Sequence, residues 1–350
     1  MEYCVSDGQD EKIGRNEMKL QIRKAMSISF IVIFATICIA IPAAAAEFEQ
    51  SDAGLTVFEM PELDIQKTYV YNTTYDYFVP SRIGHEAVLY WGEKDGDNYL
   101  SLIDKLNGGE ITNYGMDVEN EDITLRKLYD WNGSVIFMDL EFEPESLFID
   151  YPLWVGKTWD RDEVNFSGYV WVGAPDPVFV SASTYGFASI ISEEYITVPA
   201  GTVHCMLLET IMYSRMGENK QKIWLMENGF FAKRQLYHDG IFKEELVLKP
   251  VKARVEIKPE TLNLHSKGKF TAFIELPYGF DVADIDLTTI ECEGAQAIAG
   301  HVVDNKLIVK FNTYDIVDVA TGNTALLTIT GKFDDGILFE GFDTISVRVK

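Results

Sequence analysis

The sequence predicts an almost wholly β protein in two domains, preceded by a hydrophobic N-terminal helix. Three observations predict it. Apolar and aromatic residues recur at every second position through most of the chain, which is the period of a strand with one buried face. Short clusters of Asn, Asp and Gly fall between these runs, as hairpin turns require. No long segment shows the apolar period of about 3.6 that marks an amphipathic helix, and only Gly108–Glu119 and Asp315–Ala320 leave room for a short one.

Residues 1–46 read as a leader and a targeting segment. Lys19, Arg23 and Lys24 form a basic stretch, Ile28 to Ile41 is uncharged and mostly apolar, and Pro42 with Ala43–Ala46 supplies the small residues a signal peptidase takes. Cleavage near Ala44 or Ala46 is expected. The alternative is a retained anchor, because the alanines bring the apolar run towards the roughly 20 residues of a membrane span. Met18 directly precedes the basic stretch and offers a second start. Ile37 stands before Cys38 where a lipid-attachment site needs a small residue.

The first domain, residues 47–250, begins after an acidic stretch without clear period. Tyr69, Tyr71, Tyr75 and Tyr77 recur at every second position apart from Thr73 and are expected on one face of a strand or of a broken strand pair. Ala87–Trp91 and Asn98–Ile103 flank a turn at Glu93–Asp97. Leu125–Trp131 and Val135–Leu140 flank Asn132-Gly133-Ser134, whose Asn-Gly step suits the positive backbone angles of a tight hairpin. Further strands are expected at Gly168–Val172, Tyr185–Thr197, Val203–Ser214, Gln221–Met226, Phe230–Tyr237 and Phe242–Leu248. The rhythm resets at Lys249-Pro250. In residues 251–350 the alternations Phe270/Ala272/Ile274/Leu276, Leu307/Val309/Phe311, Ala325/Leu327/Ile329 and Ile345/Val347/Val349 predict an immunoglobulin-like sandwich of seven or eight short strands.

Two sets of motifs resemble known groups. Tyr151–Trp159 (YPLWVGKTW), Ile196–Thr202 (ITVPAGT) and the set Trp224, Gly229 and Lys233 resemble secreted prokaryotic proteins of unknown function of the LolA-like half-barrel kind. The resemblance implies a curved antiparallel sheet wrapping one side of a hydrophobic groove. Val255–Leu264 (VEIKPETLNL), Lys267–Phe270 and Ile274–Pro277 resemble a β-sandwich module of archaeal and bacterial surface proteins. Members of that group often carry a calcium-loop-like insertion, but here the tight turn Val303–Lys306 stands in its place.

Charge narrows the partners. The 350 residues carry 30 Lys and Arg against 55 Asp and Glu, a formal net charge of -25. Such a field repels phosphate backbones and sets nucleic acid aside as a partner. Membrane contact is expected only through the N-terminal segment. A mature chain keeps Cys205 and Cys292, expected as two separate buried thiols. The five histidines form no metal-spaced pair, and His204 and Cys205 point to opposite strand faces. The acidic groups Asp95/Asp97/Asn98 and Asp117/Glu119/Glu121/Asp122 lack a calcium loop's distant glutamate and read as solvated turns. No nucleophile elbow, phosphate loop, dinucleotide fingerprint or Cys-x-x-Cys occurs, so neither cofactor nor metal is expected.

The functional expectation is a non-catalytic exported envelope or surface protein. Tyr69, Tyr71, Tyr75, Tyr77, Trp154, Trp159 and Trp224 are the candidates for lining a groove that holds an apolar or amphiphilic molecule or a cell-envelope component. The same alternation also describes an ordinary sheet core. Asn72, Asn132 and Asn165 stand in glycan-acceptor triplets. A secreted hydrolase using Asp/Glu residues of the first domain and a purely structural surface-layer component remain the alternatives.

Overall fold

The computed structural model describes residues 56–62, 67–76, 83–94, 97–104, 109–119, 122–131, 136–172, 176–215, 217–317 and 319–349. Residues 1–46, expected to be a leader and targeting segment, lie outside them. The described residues are built almost entirely of strands. The short helical pieces are single 3-10 turns, such as Val282–Asp284 and Thr313–Asp315. Gly109–Glu119, one of the two places left open for a helix, is a strand; at the other, a 3-10 turn ends on Asp315.

Twelve strands form the first sheet. They are β1 (Thr68–Asp76), β2 (Glu86–Lys94), β3 (Asp97–Asp104), β4 (Gly109–Glu119), β5 (Asp122–Trp131) and β6 (Ile136–Asp150), then β7 (Thr158–Val172), β8 (Val178–Val198), β9 (Gly201–Ser214), β10 (Gly217–Leu225), β11 (Phe231–His238) and β12 (Ile241–Leu248). Each pairs antiparallel with its sequence neighbours, and β1 pairs with both β2 and β12, so the sheet closes into a barrel. The curvature implied by the half-barrel motifs therefore runs to completion. The physical reason lies in β1: Tyr71 is paired with Ala87 on one side and Leu248 on the other. That double pairing leaves no unsatisfied strand edge.

Alternation carries through the barrel wall. Tyr69, Tyr71, Leu89, Trp91, Ile123, Phe166, Leu208, Ile223 and Leu248 are buried inward positions. Outward positions carry cross-strand charge pairs, among them Lys220 to Glu209 at 2.5 Å, Lys233 to Glu245 at 2.9 Å and Lys127 to Asp139 at 3.0 Å. Among the described residues no helix is long and apolar enough to cross a membrane.

After Lys249 and Pro250 a second sheet begins. It comprises β13 (Val251–Lys252), β14 (Arg254–Lys258), β15 (Thr261–Asn263), β16 (Lys269–Glu275), β17 (Ile285–Cys292), β18 (Ala295–Val303), β19 (Lys306–Asn312), β20 (Gly322–Phe333) and β21 (Leu338–Arg348). Its order is β13-β21-β20-β17-β18-β19-β16-β14, with β15 added on β21. β18 pairs with β17 through Ala295 and Gln296 and with β19 from Ala297 to Val303, with a register shift between Ala297 and Ala299 inside the second pairing. This change of partner along β18 lets one continuous sheet form the two layers of a sandwich, whose core holds Ile257, Phe270, Ala272, Leu307, Phe311, Leu327 and Val347. Asp304 and Asn305, at φ 48 and 58, make the tight turn between β18 and β19.

Candidate functional site

The site is a pocket inside the barrel. Leu89 and Trp91 of β2, Leu100 of β3, Met116 of β4, Ile123 of β5, and Phe148 and Ile149 of β6 form one wall. Ile223 and Leu225 of β10 and Phe231 of β11 form the other. Strand order separates these walls by β1 and β12 on one flank and β7 to β9 on the other, so they meet only across the interior. Gln221, Gly229 and Arg234 complete the lining, and the pocket encloses about 540 Å³ including its open mouth. An apolar lining with a few polar atoms is the usual make-up of a small-molecule site.

Its polar atoms are unevenly satisfied. Arg234 Nη2 lies 3.4 Å from Glu244 Oε1 on β12. Trp91, only 2% exposed, buries its indole N–H without a hydrogen-bond partner among the described residues. Arg161 of β7, outside the lining itself, is 1% exposed. Its Nη2 donates to Ser146 Oγ at 2.9 Å, and its guanidinium sits 5.5 Å from the centre of the Phe148 ring. Burial pulls its pKa down to about 10.

The structure distributes the groove candidates widely. Tyr69 is buried, accepts from Asn228 Nδ2 at 3.1 Å, and packs on Phe230 at 4.5 Å. Tyr71 is buried and donates its hydroxyl to Phe231 O at 2.7 Å. A register shift between Thr73 and Tyr75 breaks the alternation, so Thr73 and Asp76 are buried while Tyr75 stacks on Phe242 at 4.7 Å. A bulge thus divides Tyr69 and Tyr71 from Tyr75 along β1. Tyr77 lies outside the described residues. Trp154 and Trp159 flank Lys157, at 4.8 and 6.0 Å from its Nζ. Trp224 donates to Glu194 Oε1 at 3.0 Å and lies under Lys233 Nζ at 5.2 Å. None of these six described residues lines the pocket.

The remaining candidates are placed as follows. Asn165 is exposed on β7, Asn72 is half-buried on β1, and Asn132 lies outside the described residues. Cys205 and Cys292 are both buried and free, and burial pushes each thiol up to about 12. His204 faces outward to Glu193 at 2.8 Å and stacks on Tyr195, while Cys205 faces inward. Among the described residues no group of three or more His, Cys, Asp or Glu could hold a metal ion.

Sequence reasoning missed the pocket lining because its members come from seven strands and are individually ordinary core residues. It missed Arg161 for a different reason. Arg161 stands between Asp160 and Asp162, a charged triplet that reads as surface, yet both aspartates are exposed and the arginine points in. The one available signal was its spacing of two from Trp159, another buried position.

No protein-family profile matches the chain, and no curated protein matches it either. Among solved structures it is similar to a candidate exported protein with a YmcC-like fold from Bacteroides fragilis, with 12% identity over 55% of this chain and 98% of that one, at a TM-score of 0.35. A second similarity is to the plexin A4 extracellular region, with 6% identity over 76% of this chain and 40% of that one, at a TM-score of 0.22. Neither score is high enough to transfer a fold assignment or a function. The half-barrel resemblance accordingly rests on its motifs alone.

Proposed function

We propose that the chain is an exported, non-catalytic binding protein of two domains, in which the barrel holds an apolar or amphiphilic molecule and the sandwich serves as a spacer or adhesion module. Export rests on the basic and apolar Lys19–Ala46 segment. The observation that carries the binding reading is the pocket itself: aliphatic and aromatic side chains from β2 to β6 face others from β10 and β11, with Gln221 and Arg234 as the polar members of the lining. Such a lining removes hydrocarbon from water at about 25 cal/mol per Å² of apolar surface covered, so it favours partition of an apolar body.

The test is fluorescence titration with 1-N-phenylnaphthylamine, a neutral apolar probe. The wild-type chain should bind it with a large gain in emission. Leu225→Trp, which fills the pocket from the β10 wall, should weaken binding by about tenfold, or roughly 1.4 kcal/mol. Unchanged binding by Leu225→Trp, or no binding by the wild type, would overturn the pocket as the site. Mass spectrometry of lipid extracts from protein purified from its native host then reports the physiological occupant.

A further inference from the structure

We propose that the pocket holds its ligand by an anionic headgroup paired with Arg161, so that the molecule taken is an amphiphile with one carboxylate-like charge. This rests on the pocket being a binding site and narrows it to a ligand class. A guanidinium has five N–H donors and keeps its charge at neutral pH. Arg161 uses only one nitrogen within the protein, Nη2 to Ser146 Oγ. Its Nε and Nη1 are buried and have no partner among the described residues. Burial alone acts on its titration, with no carboxylate contributing. A cation in such a place is costly unless an anion joins it, because buried charges persist when paired and hydrogen-bonded.

Arg161 is not itself in the lining, and its link to the pocket is Phe148. The guanidinium lies on the Phe148 ring, and Phe148 is part of the pocket wall. Trp91, from the same wall, offers a second buried donor without a partner. The proposal sets the tail against the apolar lining and the head at its Phe148 end, where Arg161 stands behind the ring. The binding energy of the tail is then shared by neutral and acidic amphiphiles, while Arg161 separates them.

The experiment compares dodecanoate with methyl dodecanoate as competitors for bound 1-N-phenylnaphthylamine on the full chain. Wild type should prefer the acid by at least about tenfold. Arg161→Met should keep probe binding, lose that preference, and raise the thermal midpoint of the ligand-free protein by removing an unpaired buried charge. Arg161→Lys, which keeps the charge, should retain part of the preference. Equal competition by acid and ester in a wild type that binds the probe would overturn the headgroup assignment and leave the pocket standing. A wild type that binds no probe would overturn the pocket and this inference with it. A preference for the acid that survives in Arg161→Met would place the headgroup elsewhere and overturn the role of Arg161.

Discussion

Lys157 shows how a motif residue is explained at the atomic scale. Its ammonium, 9% exposed, donates to Asp150 Oδ1 at 2.8 Å, Asp150 O at 2.7 Å and Pro152 O at 3.0 Å. All three donor positions are used, and the Trp154 ring lies beside them. The lysine thus ties the end of β6 to the start of β7, while Leu153 pairs with Phe58 as an isolated bridge and Gly156 supplies the φ of 93 that the turn needs. Lys157→Met should cost about 2–4 kcal/mol, since it strands two partly buried carbonyls and a carboxylate. Urea unfolding checks this, and a loss under 1 kcal/mol would show the cluster to be dispensable. This cluster was legible as a motif and not as chemistry: PL-x-VG-x-x-W spells out the positions, but no spacing rule says that a lysine between two tryptophans points inward. Arg161 was illegible for the same reason, since a charged side chain between aspartates looks solvated until the strand's facing is known.

At the scale of elements, most strands were legible because alternation reports facing directly, and the motif set Trp224, Gly229 and Lys233 resolves into a hairpin. Trp224 and Lys233 are register partners across β10 and β11, and Gly229 closes the turn at φ 80. What alternation could not show was closure, because pairing of β1 with β12 joins residues about 170 positions apart and leaves no local mark. Glu245 sits on that closing seam. Burial works against its charge, but hydrogen bonds from Gln235 Nε2, Thr74 Oγ1 and Lys233 prevail and hold its carboxyl below the ordinary 4.5. These bonds need the carboxylate, so their contribution is complete above about pH 4.5 and is lost as pH falls through the lower value of the folded state. The wild type should therefore lose about 1–2 kcal/mol more than Glu245→Gln between pH 5 and pH 3, counted from the charged hydrogen bonds it alone can make. Parallel chemical unfolding at the two pH values measures the difference, and equal losses would remove Glu245 from the seam's acid response.

At the scale of the molecule, the barrel and the sandwich are joined by more than the Lys249–Pro250 link. Leu338 N donates to Ala200 O at 2.6 Å, so the turn of the VPAG motif bonds directly to β21. Gly201 follows at φ 111, and a Cβ there would stand 2.8 Å from Gly336 O, which is why that turn carries glycine against the second sheet. Phe280, 7% exposed, meets Tyr69 of the barrel edge to face at 5.3 Å and Phe333 of the sandwich at 5.7 Å. Tyr69, which spacing alone suggested for a groove, belongs to this junction. Such continuity of core predicts that both sheets unfold in one calorimetric transition, because neither can open without exposing the aromatic contacts of the other. Phe280→Ala should remove about 3–4 kcal/mol, a typical loss for a buried phenylalanine, and should do so from the coupling between the sheets. The transition should then broaden or separate into two, with the barrel's probe binding kept through the first. Two transitions already present in the wild type would show that the junction does not couple the sheets, and a single sharp one that only moves down in the variant would show that contacts other than Phe280 couple them.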